Sequence, residues 1–154
     1  MKIVIISIGK FENSPHRLAF ENYLKRMKWD IELKELELKN AHNLSVDKIK
    51  EGEGKLIAKA IKSGSVVIAL DEKGKEFTSQ NFAKLIADFA VKGDSHLTFL
   101  IGGANGLSSD IIGEAKLKIA LGLMTFPHLM VRTMLMEQLY RAQSIIAGHP
   151  YHKE

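Results

Sequence analysis

Three short runs constrain this chain more than anything else in it. They are Lys-Ile-Val-Ile-Ile-Ser-Ile at 2–8, Ser-Val-Val-Ile-Ala-Leu at 65–70 and His-Leu-Thr-Phe-Leu-Ile at 96–101. Each is apolar at odd and even positions alike. An alternating strand needs one covered face, whereas a strand apolar at both parities needs two. Such strands belong to a parallel sheet with helices on either side. Segment 117–124 is a fourth candidate, apolar but short. In 31–38, Ile31 and Leu33 share one parity and Leu36 and Leu38 the other. A strand there is expected to slip phase near Lys34–Glu35, through a bulge or an edge position.

Amphipathic stretches lie between the strands. From Pro15 to Trp29, Leu18, Ala19, Tyr23, Leu24 and Met27 recur at helical spacing. A second helix is expected over 45–63, from an N-cap at Ser45 to a C-cap at Gly64, with Gly52 and Gly54 weakening its middle. Ser79 opens a third, with Phe82, Leu85, Ile86 and Phe89 on one face. Ser108 or Ser109 opens a short fourth. The longest covers 128–147 and is closed by Gly148 and Pro150. The expectation is an α/β fold, a mainly parallel sheet flanked by helices, with residues 1–154 forming one domain.

Composition removes several classes of chemistry. The chain has no cysteine, which excludes disulfides, Cys-ligated metal and thiolate nucleophiles. The net charge is +4. Residues 1–62 hold 13 Lys and Arg against 9 Asp and Glu, so the whole excess lies there. That asymmetry is compatible with a polyanion such as RNA. The apolar run after Lys2 is too short for a signal core, and no stretch approaches ~18 apolar residues. A cytoplasmic location without membrane contact is expected.

Two glycine-bearing segments are candidate ligand sites. Gly102-Gly103-Ala104-Asn105-Gly106-Leu107 follows a buried strand and precedes a helix, the position at which open α/β sheets bind ligands. It is neither a dinucleotide fingerprint nor a P-loop, and an ordinary turn explains it equally. Leu121-Gly122-Leu123-Met124-Thr125-Phe126-Pro127-His128 offers apolar walls and free backbone groups, which suit an adenine-like moiety. Pro127 also fits a plain helix start. Asp71, after the 65–70 strand, is placed either to meet a ligand or to cap a turn.

The last helix and the tail carry the remaining polar groups. Glu137, Tyr140 and Arg141 share a helical face, while Arg132 stands about 140° from Glu137 around the axis. Glu137 and Arg141 also form an ordinary i,i+4 pair. Tyr151, His152 and Lys153 follow Pro150, and such aromatic and basic groups can stack on unpaired bases. His149 and His152 lack further ligands for a metal, and none is expected.

The loop Ile101-Gly102-Gly103-x-x-Gly106-Leu107 thus comes with Thr125-Phe126-Pro127-His128, Val131-Arg132, Glu137-Gln138-Leu139-Tyr140-Arg141-Ala142 and Pro150-Tyr151-His152. Together they resemble the RlmH family, SPOUT-class methyltransferases of large-subunit ribosomal RNA. The resemblance spans essentially the whole chain and is most specific in its last third. It implies a C-terminal trefoil knot, a homodimer, S-adenosylmethionine as donor, and methylation at N3 of a pseudouridine in assembled ribosomes. It places the donor against Leu70, Gly103, Gly122, Leu123, Met124, Thr125, Phe126 and Pro127.

Methyl transfer needs alignment, a dry cavity and a nucleophile relieved of its proton. The absence of cysteine fits a nitrogen or oxygen target better than carbon-5 of a pyrimidine. Glu137, His128 and His152 are candidate bases, and sequence does not rank them. Arg132 and Arg141 are candidates to stabilise an anion or grip phosphate. Tyr151 and His152 are expected to order the substrate. The last helix, apolar on more than one face, is expected to form the dimer contact. A non-catalytic RNA- or ribosome-binding module and a nucleotide-binding regulator are the other readings.

Overall fold

Residues 1–152 are described by a computed structural model. Strands and helices alternate from the start: β1 (Lys2–Ile8), α1 (Pro15–Leu24), β2 (Asp30–Leu36), a short 3-10 turn (Ala41–Asn43), α2 (Val46–Ala60) and β3 (Val66–Glu76). Then come α3 (Ser79–Val91), β4 (His96–Ile101), α4 (Ser109–Glu114), β5 (Leu117–Ala120) and α5 (His128–Ile146). The strands form one parallel sheet in the order β2-β1-β4-β3-β5.

Both parities of the central strands are buried, each in its own core. Ile3 and Ile5 of β1 join Phe20, Phe82, Ile86, Phe99, Leu135 and Leu139 beneath α1, α3 and α5. Val4, Ile6 and Ile8 face the other way, onto Ile57, Leu100, Leu107 and Ile111 beneath α2 and α4. Two covered faces also explain β2. It lies at a sheet edge, as expected, but its register with β1 runs unbroken from Asp30 to Leu36, with no bulge. Ile31 and Leu33 pack into the first core and Leu36 into the second. A parity switch that would strand a one-faced strand is harmless here.

The irregularity falls in β3 instead. Leu70 and Lys75 both pair with Ile119 of β5, so residues 71–74 leave the ladder and return. The return passes so close that a Cβ at Gly74 would stand 2.6 Å from the Ile119 carbonyl carbon, and only glycine fits. β5 was expected to reach residue 124 but ends at Ala120. Its ladder partner β3 ends at Glu76, opposite Ala120, leaving residues 121–126 as a loop.

Helix ends follow the capping chemistry with local changes. Ser45 and Ser108 accept from the backbone N–H of Lys48 and Ile111, as N-caps do. α3 begins at Ser79, as expected, and Thr78 before it is the N-cap, accepting from the Asn81 N–H. α1 stops at Leu24, short of Trp29, and the N–H groups of Lys28 and Trp29 donate to Gln143 Oε1 of α5 at 2.7 and 3.3 Å. α2 ends at Ala60 in an extended Ile61, before Gly64 is reached.

Candidate active site

The carboxyl ends of β3, β4 and β5 open into a cleft of about 890 Å³. Its walls come from both glycine segments and from the excursion in β3. Leu70, Gly103, Gly122, Met124, Thr125, Phe126 and Pro127 all line it. Leu123 does not: it is 85% exposed, and Met124 beside it borders the cleft while remaining 75% exposed. The glycine loop folds back on itself, with the Gly106 N–H donating to the Gly103 carbonyl at 3.0 Å. A Cβ at Gly102 would stand 2.6 Å from the Gly106 carbonyl carbon, so the loop needs glycine there. Thr125 Oγ1 donates to Glu72 Oε2 at 2.9 Å and ties the two sides of the cleft. Asp71 both lines the cleft and caps a turn, accepting from the Lys73 N–H at 2.8 Å.

Of the three candidate bases, His128 alone lines this cleft. It opens α5, where Pro127 sets the chain direction. Burial, with the Arg132 guanidinium adding repulsion, holds its pKa below the ordinary imidazole value. A neutral ring can accept a proton.

Arg132, one turn further, is fully enclosed. Its Nη2 donates to the Ile8 carbonyl at 2.6 Å and its Nη1 to Glu35 Oε1 at 3.0 Å. The same carboxylate oxygen accepts the Phe11 N–H at 2.6 Å, and the guanidinium lies 4.9 Å from the Phe11 ring centre. These contacts join the ends of β1 and β2 to α5. Nη1 and Nη2 thus hold the protein's own groups, Nε has no partner among the described residues, and the side chain is closed off from solvent.

Glu137, Arg141, Tyr151 and His152 gather elsewhere along α5. Glu137 Oε1 accepts from Arg141 Nε and Nη2 at 2.9 and 2.6 Å and from the Tyr151 hydroxyl at 3.2 Å. Its Oε2 accepts from Gln138 Nε2 at 2.7 Å. Arg141 Nη1 is 3.3 Å from His152 Nδ1, and the Tyr151 and Tyr23 hydroxyls are 3.4 Å apart. Tyr151 meets Tyr140 edge-on at 4.8 Å between ring centres, and Arg26 sits over Tyr140 at 4.3 Å. Burial, then the Tyr23 hydrogen bond and the Glu137 charge, push the Tyr151 phenol well above its ordinary pKa. Up to His152 the tail is therefore packed and bonded rather than frayed; Lys153 lies outside the described residues.

Glu137 also lines a second, largely apolar groove of about 560 Å³, with Tyr23, Phe77, Phe82, Met130 and Met134. Leu70, Ile119 and Leu121 border both this groove and the cleft. Within one chain these three side chains separate the Glu137 cluster from the glycine loops.

One residue was not singled out by sequence. Glu53 of α2 is buried beside the glycine loop, and burial pushes its carboxyl above the ordinary value. Its position one turn before the core residue Ile57 was the available signal. Among the described residues no cluster of three or more His, Cys, Asp and Glu is placed to hold a metal, and no helix is long and apolar enough to cross a membrane.

Residues 1–152 match a family described as predicted SPOUT methyltransferase. Ribosomal RNA large subunit methyltransferase H of Clostridium tetani is 45% identical over 159 residues, covering 99% of this chain and 100% of that one. The protein of that name from Rhodospirillum centenum is 38% identical over 153 residues, covering 99% of each. Among solved structures, a probable methylase family protein from Haemophilus influenzae aligns with a TM-score of 0.58 at 11% identity, over 99% of this chain and 70% of that one. TrmJ from Z. mobilis gives 0.56 at 12% identity, over 94% and 70%. At such low identity these two speak for the fold alone. A family match over nearly every residue, together with relatives aligned end to end, makes this chain a member of the SPOUT methyltransferase family.

Proposed function

We propose that this chain methylates large-subunit ribosomal RNA at N3 of a pseudouridine in the assembled ribosome, with S-adenosylmethionine as donor. The observation that carries the reading is the cleft: both glycine segments converge on it, in a chain 45% identical end to end to a ribosomal RNA large subunit methyltransferase H. Its size and lining fit the donor. Leu70, Ile101, Leu107 and Phe126 supply apolar contacts for an adenine, and the glycine-rich backbone offers polar groups at close range. The donor, when bound, supplies a methyl group on a positively charged sulfur.

The chain's own residues would then exclude water, orient the base and take a proton. The N3–H of a pyrimidine is weakly acidic, so a neutral His128 at the cleft wall suits proton acceptance. Glu137 is committed to Arg141 and Tyr151, which suits it to fixing their positions. Arg141 and Tyr151 are the groups we assign to substrate ordering, with His152 beside them. The wall of Leu70, Ile119 and Leu121 keeps them from their own cleft. A homodimer, with α5 of one chain against the partner, would bring them to the other chain's cleft. A cytoplasmic location accords with a ribosomal substrate.

The test pairs donor calorimetry with a methylation assay on ribosomes lacking the modification. Saturable S-adenosylmethionine binding and transfer of labelled methyl to ribosomal RNA are the expected results. Binding to ribosomes without donor binding would instead identify a non-catalytic module.

A further inference from the structure

Three cations stand together past the end of α1 with nothing to balance them. Lys25, Arg26 and Lys28 are exposed, and none makes an ion pair among the described residues. The acidic groups around them are engaged: Glu21 by Arg17 at 2.9 Å, Asp30 by Lys2 at 3.7 Å and Glu137 by Arg141 at 2.6 Å. The backbone beneath the three is fixed. The Arg26 N–H donates to the Tyr23 carbonyl at 3.0 Å, the Met27 N–H to the Leu24 carbonyl at 3.1 Å and the Lys28 N–H to Gln143 Oε1 at 2.7 Å. Met27 and Trp29 pack against the first core, while the cations beside them stay exposed. A helix dipole favours a cation within the last turn. Lys28 lies beyond that, since α1 ends at Leu24, so the helix end does not account for it.

Arg26 is the best placed of the three. Its guanidinium carbon lies 4.3 Å from the Tyr140 ring centre and 5.3 Å from that of Tyr151. Arg141 approaches the same Tyr151 ring to 5.0 Å. One aromatic pair thus carries two guanidiniums, and they differ in one respect. Arg141 directs Nε and Nη2 to Glu137, whereas the side-chain N–H groups of Arg26 have no acceptor among the described residues. A guanidinium resting on aromatic rings keeps its edge, with its N–H donors, open to an oxyanion. Wherever Tyr151 and Arg141 meet the substrate, Arg26 goes with them.

We propose that Arg26 binds a backbone phosphate of the RNA substrate, with Lys25 and Lys28 extending the same surface along the strand. The inference rests on the ribosomal RNA reading above. To the groups that order the target base it adds one that holds the backbone beside it. A phosphodiester matches the edge of a guanidinium, and successive phosphates suit neighbouring cations. Such contacts fix the position of the strand without reading its sequence.

A ribosome methylation assay over a series of salt concentrations tests this, beside donor calorimetry and a melt on the full chain. Arg26→Gln is expected to raise the apparent KM for ribosomes about tenfold, with kcat and S-adenosylmethionine affinity each within about twofold of wild type. The dependence of log KM on log salt should become shallower by about one, as the loss of one phosphate contact requires. Arg26→Lys should restore that slope and part of the KM. Lys28→Gln leaves the tyrosine contacts in place and should shift KM and slope in the same direction. If Arg26→Gln folds poorly, Arg26→Met repeats the comparison with an uncharged side chain that still packs on the rings. A fall in kcat with KM and slope unchanged would make Arg26 a support for Tyr151 and overturn the proposal, as would unchanged kinetics. A wild type that binds donor but transfers no methyl to ribosomes would overturn the functional reading itself, and this inference with it.

Discussion

Arg132 shows how far a single residue's role can lie from its appearance in sequence. Its charge and its place in the last helix suggested a grip on substrate, yet its partners are the Ile8 carbonyl and Glu35, 124 and 97 positions away. No local pattern announces such a clamp. Arg132→Ala would take the guanidinium from both partners, leaving the half-buried Glu35 carboxylate without its cation and with the Phe11 N–H as its remaining donor, and is expected to cost about 3 kcal/mol, read by urea unfolding. His128 was legible because glycine, proline and histidine cluster at the helix start. Its role as proton acceptor predicts a pH profile. The rate should rise with pH through a pKa below the ordinary imidazole value and then level off. His128→Gln should remove that limb. For stability the sign is the same. A lowered folded-state pKa means that protonation favours unfolding, so stability is lost as pH falls below the unfolded imidazole value. Glu53 went unread because burial of a carboxylate depends on what packs above it, not on its neighbours in sequence.

Among the elements, the strands were the most legible, because burial on both faces writes itself as unbroken apolar runs. The helix starts followed from Ser45 and Ser108. What sequence misplaced was irregularity. The expected slip in β2 was absorbed by two cores, and the real one arose where β3 meets the short β5. The path of the tail was not legible either, since Gly148 and Pro150 end a helix without saying where the chain goes next. Tyr151 returns to Tyr140, Tyr23 and Glu137. Deleting residues 151–154 is therefore expected to abolish methylation and also to lower the melting temperature by several degrees, because packed aromatic area is lost. Tyr151→Phe separates the two effects: it keeps the ring against Tyr140 and removes the hydroxyl from Glu137. An unchanged melt with reduced methylation is the expected result.

For the whole molecule, the division of polar groups between cleft and groove predicts that two chains cooperate. Gly103→Val puts branched carbon against Ile8 and Glu53, where even a Cβ is 3.0 Å from Ile8 Cγ2, and should abolish donor binding. Arg141→Ala frees Glu137 and Tyr151 on the other side of the wall. Each variant alone should be inactive. Mixed and allowed to exchange, they should regain about a quarter of wild-type activity, because half the dimers would hold one intact composite site of two. No recovery in a mixture shown by mass to have exchanged would mean that each chain works alone.

Leu70, Ile119 and Leu121 give that wall a property of its own. Each of its residues borders both compartments. In a close-packed interior such side chains cannot shift toward one space without altering the other. An occupant of the groove that displaces them changes the affinity of the cleft for its ligand. Linkage then obliges the cleft's ligand to change the affinity of the groove by the same factor. Donor binding and chain association on this scaffold would be two readings of a single equilibrium.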